Sequence, residues 1–312
     1  MAVQTKRRPD TTLIERAARR LGTHGGPTEE PFPGAGMAPT VTAEAPTAGI
    51  ATPASVAGVD ARPSPSDKAS PTVDIDLVRL KKEGVVTPET VRSKTTEEMR
   101  LIKRRVLANY LEAEHEHANL IAVTSALAGE GKTFVALNLA MSLALEKDFR
   151  VLLVDADVAK PAISERLGIA PRFGLTDLLT DSDIDVAQVL LRTSVQSLTI
   201  IPAGNPHELN TELLSSKRMA SLLDEFSRRY ADRIIIFDSP PVLVTTEASA
   251  LARRMGQVVF VVQAGRTRRQ AVEEALELIP DCAHIGLVMN QSQNRWGSVE
   301  FGSYYGKYYK DR

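Results

Sequence analysis

The sequence predicts an α/β domain in which a mostly parallel central sheet lies between two layers of helices. Two observations carry this prediction. Short aliphatic runs alternate along the chain with longer helical patterns, and the runs lack the polar–apolar alternation of half-exposed strands. Continuous aliphatic runs are typical of strands buried on both faces, and strand–helix alternation is typical of a parallel sheet. The expected fold class is therefore a three-layer α/β sandwich.

The elements follow from these patterns in chain order. A charged helix is predicted first, over about Thr95–Glu114. The predicted strands are Leu120–Thr124, Arg150–Val154, Leu198–Ile201, Arg233–Phe237, Val258–Gln263 and Ile285–Met289. The helices predicted between them are Thr133–Leu145, Ser216–Tyr230, Thr246–Met255 and Arg268–Leu278.

The chain before this domain has a different composition. Ten of the 18 prolines fall within the first 71 residues, and such a segment buries too little apolar surface to offset its ordering entropy. We predict a short amphipathic helix over 1–21, a disordered tether over 22–75, a folded domain over 76–300 and a flexible tail over 301–312. The first helix is open to three interpretations: a fraying helix, a docking peptide or a membrane-surface segment.

Composition excludes several classes of protein. The chain has 312 residues with one cysteine, Cys282, so it has no internal disulfide, and it is expected in a reducing compartment. Its 38 basic residues against 39 acidic ones provide no electrostatic reason to expect a nucleic-acid partner. No apolar run approaches the roughly 18 residues of a membrane span. The expectation is a soluble, cytoplasmic protein.

A phosphate-binding loop follows the first predicted strand of the domain. Residues 125–133 read SALAGEGKT, with Ala126 where the P-loop pattern has its first glycine. Gly129 and Gly131 allow successive backbone N–H groups to face phosphate oxygens. In this pattern, Lys132 contacts the β- and γ-phosphates and Thr133 offers its hydroxyl to Mg²⁺. The motif predicts a site for ATP and Mg²⁺.

Two acidic motifs follow other predicted strands. VLLV precedes Asp155-Ala156-Asp157, and IIIF precedes Asp238-Ser-Pro-Pro. Ligands of an open parallel sheet bind beyond the carboxyl ends of its strands, so these carboxylates are expected to converge on the P-loop. Asp238 fits the role of a metal-binding carboxylate, direct or through water.

The tail concentrates one residue type. The chain has six tyrosines, and four of them, Tyr304, Tyr305, Tyr308 and Tyr309, lie among glycine and lysine near its end. Aromatic residues normally belong to a core. The composition of this segment is not typical of a core.

The series SALAGEGKT, VLLVDADVAKP and IIIFDSPP resembles the bacterial tyrosine kinases, P-loop autokinases of polysaccharide export that are related to the MinD/ParA ATPases. PAG at 202–204, NTELLSS at 210–216, RTRRQ at 266–270 and the strand ending MNQ at 289–291 resemble further family segments. The resemblance covers about residues 90–312 and implies a MinD/ParA-like P-loop NTPase fold. The N-terminal region is similar to the subgroup associated with exosortase and exopolysaccharide loci.

The resemblance implies an activity and a site. The chain would transfer phosphate from ATP to its own tail tyrosines 304, 305, 308 and 309 on a neighbouring subunit. Asp155 would accept the tyrosine proton, acting with Lys132 and Asp157 as the catalytic set. Thr133, Asp157 and Asp238 would hold the metal. The nucleotide contacts implied are Ala128, Gly129, Glu130, Gly131, Lys132, Thr133, Phe134 and Asn290.

Three features of the sequence decide how much of the family's function the resemblance implies for this chain. Leu127 stands where MinD/ParA ATPases carry a lysine that crosses their dimer, which argues against that class. The family's usual arginine after the DxD motif is Ala159 here, followed by Lys160. The family's oligomerisation motif, E-x-x-R-x-x-R, appears as Glu97, Arg100 and Lys103, with lysine in place of the last arginine. At spacings of i, i+3 and i+6 these residues are expected to share roughly one helix face. This row is either a solvated helix face or the interface of a homo-oligomeric ring.

The family also implies partners. These are a membrane polysaccharide co-polymerase that activates the kinase and holds it at the inner membrane, and a cognate protein-tyrosine phosphatase. The hypothesis is a protein-tyrosine autokinase that regulates exopolysaccharide or capsule polymerisation and export. The alternatives are a MinD/ParA-like ATPase switch without kinase activity, and a regulatory subunit that binds ATP but transfers phosphate slowly.

Overall fold

The computed structural model describes residues 71–90, 93–113, 115–170, 172–207, 210–280 and 282–292. The predicted N-terminal helix over 1–21, the tether up to residue 70 and the tail tyrosines Tyr304, Tyr305, Tyr308 and Tyr309 lie outside these residues. Within the described ranges, no helix is long and apolar enough to cross a membrane.

An eight-stranded sheet forms the centre of the domain, in the order β1-β4-β5-β3-β6-β2-β7-β8. Its strands are β1 Thr72–Val73, β2 Leu120–Ser125, β3 Arg150–Asp155, β4 Leu191–Thr193, β5 Leu198–Ile201, β6 Arg233–Asp238, β7 Gln257–Gln263 and β8 His284–Asn290. Every pair is parallel except β4 with β5. The predicted mostly parallel α/β sheet is confirmed.

Helices occupy the connections between these strands. They are α1 Leu77–Lys82, α2 Lys94–Glu112, α3 Lys132–Ala144, α4 Ile163–Leu167, α5 Leu175–Thr180, α6 Val186–Val189, α7 Asn210–Ser215, α8 Lys217–Arg229, α9 Thr246–Ala252 and α10 Arg269–Glu277. Serine side chains begin two of the longer ones: Ser93 accepts from the Thr96 N–H and Ser216 from the Met219 N–H. Such caps satisfy N–H groups that have no partner within the helix.

The central strands are buried along their whole length. Every residue of β2 and β6 is buried, as are five of the six residues of β3. Helix α3 is buried nearly throughout and packs its aliphatic side chains against this part of the sheet. The carboxyl ends of β3, β6 and β2 therefore lie side by side on a rigid, apolar base.

The folded part of the described chain begins inside the segment predicted as tether. Val73 in β1 pairs with Thr193, and the Ile75 N–H donates to the Ser194 hydroxyl at 3.1 Å. From there the chain crosses α3, where the Val86 N–H donates to the buried Asn138 side chain at 2.8 Å. Because β1 has two residues, it has no periodic pattern by which the sequence could have indicated it.

Candidate active site

The phosphate-binding loop joins β2 to α3 and depends on two glycines. Gly129 and Gly131 have φ values of +86° and +92°, a left-handed conformation that residues with a Cβ rarely adopt. A Cβ on Gly131 would also lie 2.1 Å from the Asn290 Nδ2. The loop needs glycine at this position for its backbone conformation and for space.

Lys132 begins α3 with its ammonium group turned toward the acidic strand ends. Its side chain is 8 % exposed, and its Nζ lies 3.5 Å from the Asp157 Oδ2. The Asp157 side chain is 11 % exposed. This pair brings together two of the three predicted catalytic residues and places a cation beside the phosphate loop.

Asp155 and Asp238 are direct neighbours in the sheet, because β3 and β6 pair in the register Asp155 with Asp238. Both residues are fully buried. The Asp155 Oδ2 accepts from the Ala162 and Ile163 N–H groups at 3.2 and 3.0 Å. Within the described part of the chain, no hydrogen-bond partner is found for the Asp155 Oδ1 or for either carboxylate oxygen of Asp238.

The proximity of these carboxylates in a buried place changes their protonation. Burial, and after it the negative charge of Asp238, raise the pKa of Asp155 to about 8, although the hydrogen bond from the Ile163 N–H acts in the opposite direction. The pKa of Asp238 is raised to about 7, because the effect of burial exceeds the lowering effects of the Thr133 hydroxyl and the Lys132 ammonium. Without a cation nearby, each of these two carboxylates disfavours the ionised form of the other.

We expect the ligand-free protein to lose stability as the pH rises. Asp155 titrates near 3.8 when unfolded and near 8 when folded, so the folded state binds its proton more tightly, and this contribution is lost between about pH 4 and pH 8. Asp155→Asn is therefore expected to raise the free energy of unfolding at pH 8 by at least about 1 kcal/mol, the equivalent of roughly one pKa unit. Urea unfolding with a metal chelator at pH 5 and pH 8 measures this.

Asp148→Asn is the matched control, because Asp148 is exposed on the loop before β3 and its replacement should change neither curve. A variant Asp155→Asn whose stability differs from wild type by the same amount at both pH values would contradict this linkage.

The donor set fits a magnesium ion. The unpartnered oxygens of Asp238, the Asp157 carboxylate and the Thr133 hydroxyl surround the start of α3. Within the described ranges, no three His, Cys, Asp or Glu side chains form a metal cage of their own. Mg²⁺ is commonly held by one or two carboxylates together with substrate phosphates and water, which is the arrangement these residues allow.

The other predicted nucleotide contacts divide into two groups. Ala128 and Gly129 are exposed at the loop tip. Asn290 lies at the end of β8 and donates from its Nδ2 to the Glu130 carbonyl at 2.8 Å. Phe134 is half-buried beside Gly84, and its ring packs on the core.

Leu127 lies at the exposed edge of the loop, with 42 % of its surface accessible. Its backbone N–H donates to the Glu130 Oε2 at 2.7 Å. An aliphatic side chain offers neither a charge nor a donor to a nucleotide on another subunit. Leu127 therefore cannot perform the role of the MinD/ParA lysine.

The predicted interface row on α2 is divided by the structure. Glu97 and Arg100 are exposed and form an ion pair at 2.6 Å. Lys103 is buried, donates to the Ser142 carbonyl at 3.3 Å and pairs with Glu146. The prediction that Lys103 shares their face is wrong, because Lys103 lies about 120° around the helix from Glu97, on the side of α2 that packs against the end of α3.

Lys103 is therefore expected to contribute to stability. Lys103→Ala should lower the free energy of unfolding by about 1–2 kcal/mol, since it removes a buried charged donor and leaves the Ser142 carbonyl without it. Arg104→Ala is the control, because Arg104 is exposed on the same helix. Chemical denaturation measures both. Equal, small changes in the two variants would show that the Lys103 contacts contribute nothing.

The sequence did not indicate Gln263 and Thr267 as site residues. Both contact the buried Glu130 side chain, the Thr267 hydroxyl directly and Gln263 through its N–H at 3.4 Å. The one available signal was that Thr267 belongs to the RTRRQ segment. Nothing in the pattern placed that segment beside the P-loop.

A phosphate-binding loop after a buried strand, flanked by the acidic ends of two neighbouring strands, defines a P-loop NTPase domain. The AAA domain family matches residues 118–287, more than half of the chain. This range contains the whole of β2 to β7.

Individual relatives and solved structures identify the family within this class. EpsB of Ralstonia nicotianae is 37 % identical over 196 residues, which cover 61 % of this chain and 25 % of that protein. The tyrosine-protein kinase CpsD of Streptococcus agalactiae is 31 % identical over 194 residues, 61 % of this chain and 82 % of CpsD. The solved VpsO kinase domain has 32 % identity and a TM-score of 0.52, and the match covers 64 % of this chain and 100 % of that domain. The chain belongs to the bacterial tyrosine-protein kinase family.

Proposed function

We propose that this chain is a Mg²⁺- and ATP-dependent protein-tyrosine kinase that phosphorylates the tyrosines of its own tail. The observation that carries the proposal is the position of Lys132 and the P-loop against the buried Asp155, Asp157 and Asp238. This arrangement can bind a triphosphate and accept a proton at one end of the sheet. Membership of a kinase family supports transfer to tyrosine over a non-kinase ATPase switch.

In phosphoryl transfer the protein contributes little covalent chemistry and acts mainly by positioning the reactants and stabilising charge. The tyrosine oxygen attacks the γ-phosphorus, the bond from that phosphorus to the β–γ bridging oxygen breaks, and ADP leaves. Lys132 and the N–H groups of the loop offset the charge on the transferring group. Asp155 accepts the phenolic proton at its Oδ1, while its Oδ2 stays on the amides that begin α4.

Bound Mg²⁺ would supply charge neutralisation for the phosphates, and Thr133, Asp157 and Asp238 are the residues that would hold it. Its presence would also change the competition between carboxylates, because a cation beside Asp238 favours the ionised forms of that residue and its neighbour. With Mg²⁺ bound, Asp155 would therefore be ionised and able to accept the phenolic proton.

The acceptors proposed are Tyr304, Tyr305, Tyr308 and Tyr309, reached in trans within a homo-oligomer. Glu97 and Arg100 are available to an interface on the exposed side of α2. We further propose that a membrane polysaccharide co-polymerase activates the kinase at the inner membrane, that a tyrosine phosphatase reverses the modification, and that the cycle regulates exopolysaccharide or capsule export. Family membership supports these partners.

The test is incubation of the full chain with γ-labelled ATP and Mg²⁺, followed by mapping of phosphate by mass spectrometry. Phosphotyrosine at 304–309, absent from a variant with all four tyrosines changed to phenylalanine, supports the proposal. Free phosphate without phosphotyrosine would support the ATPase switch instead. Nucleotide binding without either product would support the slow regulatory subunit.

A further inference from the structure

Glu130 is an unusual residue of the phosphate-binding loop. It is 2 % exposed, although its neighbours from 127 to 129 are exposed. A carboxylate in a loop built to bind phosphate would repel that ligand unless the loop holds it on the opposite side. Its contacts show where it is held.

Both carboxylate oxygens of Glu130 accept hydrogen bonds, and none of these bonds comes from Lys132. The Oε2 accepts from the Leu127 N–H at 2.7 Å, within the loop itself. The Oε1 accepts from the Thr267 hydroxyl and, at 3.4 Å, from the Gln263 N–H. Gln263 ends β7, and the Thr267 N–H donates to its carbonyl at 3.1 Å. The loop is thereby tied to the turn between β7 and α10.

The end of β8 makes a second connection. The Asn290 Nδ2 donates to the Glu130 carbonyl at 2.8 Å, and the Gln291 Nε2 donates to the Gly129 carbonyl at 3.1 Å. An anion-binding loop needs its N–H groups on one side, so its carbonyl oxygens need donors on the other. Asn290 and Gln291, at the end of β8, donate to two of these carbonyl oxygens.

From these contacts we propose that Thr267 and Glu130 are positioning residues that hold the P-loop in its phosphate-binding conformation before nucleotide arrives. The Thr267 hydroxyl fixes the Glu130 carboxylate, and the carboxylate fixes the Leu127 N–H and the first turn of the loop. A loop already ordered loses less conformational entropy when it binds phosphate. This inference rests on the proposed nucleotide-binding function. It adds Thr267 to the site and assigns to Glu130 a role through the loop backbone.

Two substitutions at one position test it. Thr267→Val keeps the shape and removes the hydroxyl, and Thr267→Ser keeps the hydroxyl. Thr267→Val removes the hydrogen bond to the charged Glu130 side chain and also the hydroxyl acceptor that lies 3.1 Å from the Gln263 N. These losses are expected to weaken binding of ADP and of a non-hydrolysable ATP analogue about ten-fold. Thr267→Ser should stay within about two-fold of wild type. The kcat at saturating ATP should change much less than the KM for ATP. Isothermal titration calorimetry and steady-state kinetics measure these values.

A second readout does not depend on nucleotide. Hydrogen exchange of the segment 126–131 in the ligand-free protein should be faster in Thr267→Val and unchanged in Thr267→Ser. Glu130→Gln keeps an acceptor for the Leu127 N–H, so its loop exchange should lie between the two.

The outcomes separate the two proposals. Wild-type exchange and wild-type affinity in Thr267→Val would overturn the inference. So would equal losses in Thr267→Val and Thr267→Ser accompanied by equal drops in Tm, because these would indicate a general effect on folding. If no variant makes phosphotyrosine but exchange follows the expected order, the proposed kinase function fails and the positioning role stands.

Discussion

Lys132→Met should lower the kcat for phosphotyrosine formation by at least about a hundred-fold, the usual cost of losing one preorganised group that stabilises a transition-state charge. The side chain of Lys132 is held at the start of α3 with its Nζ 3.5 Å from Asp157. Methionine keeps the unbranched shape and removes the charge, so the fold should be retained. Initial rates of tail phosphorylation at saturating ATP measure the change.

Lys160→Met is the matched control, because Lys160 is an exposed lysine in the loop after Asp157. Its effect also shows whether Lys160 takes over the role of the family's arginine, whose position is occupied by Ala159 in this chain. Lys132→Met that keeps more than about a third of the wild-type kcat would contradict the role given to the loop lysine. A ten-fold loss or more in Lys160→Met would assign part of that charge stabilisation to Lys160.

The second large effect is expected at the carboxylate that accepts the proton. Asp155→Asn should lower the kcat about a hundred- to ten-thousand-fold, the range of general base catalysis. An asparagine oxygen can still accept from the Ala162 and Ile163 N–H groups, so the start of α4 is retained. The affinity for ADP should change little, and the stability at pH 8 should increase.

That combination distinguishes lost chemistry from lost structure. Asp148→Asn is again the control, since Asp148 is exposed and its replacement should leave kcat unchanged. Wild-type kcat in Asp155→Asn would assign proton acceptance elsewhere, with Asp157 the next residue to test by the same substitution.

The sequence predicted six strands to within one residue at each end, because each is a run of aliphatic residues long enough to stand out. Five of them are largely buried, whereas β8 lies at the edge of the sheet and has no buried residue, so the expected burial on both faces is wrong for that strand. The sequence missed β1 and β4, which have two and three residues, and the short helices between β3 and β5. Short elements have too few residues for a period to appear, and their conformation depends on the sheet edge they pair with.

The same division holds for the site. The glycines, Lys132 and the three aspartates were recognisable because each follows a strand in a known local pattern. The contact between Thr267 and Glu130 joins residues 137 positions apart, and no local pattern encodes it. Lys103 was misplaced for a related reason: spacing along a helix indicates neighbours on that helix, but the element it packs against decides which side becomes buried.

The amino-acid sequence alone is enough to identify a P-loop α/β domain, the residues available to phosphate and metal, and the cluster of tail tyrosines. The packing of the chain places Asp155 and Asp238 side by side at one buried edge of the sheet, buries Lys103, and brings the ends of β7 and β8 against the phosphate loop. Local motifs depend on the conformation of a few consecutive residues. Burial, shifted pKa values and long-range hydrogen bonds depend on which strands become neighbours, and here β6 lies between β2 and β3.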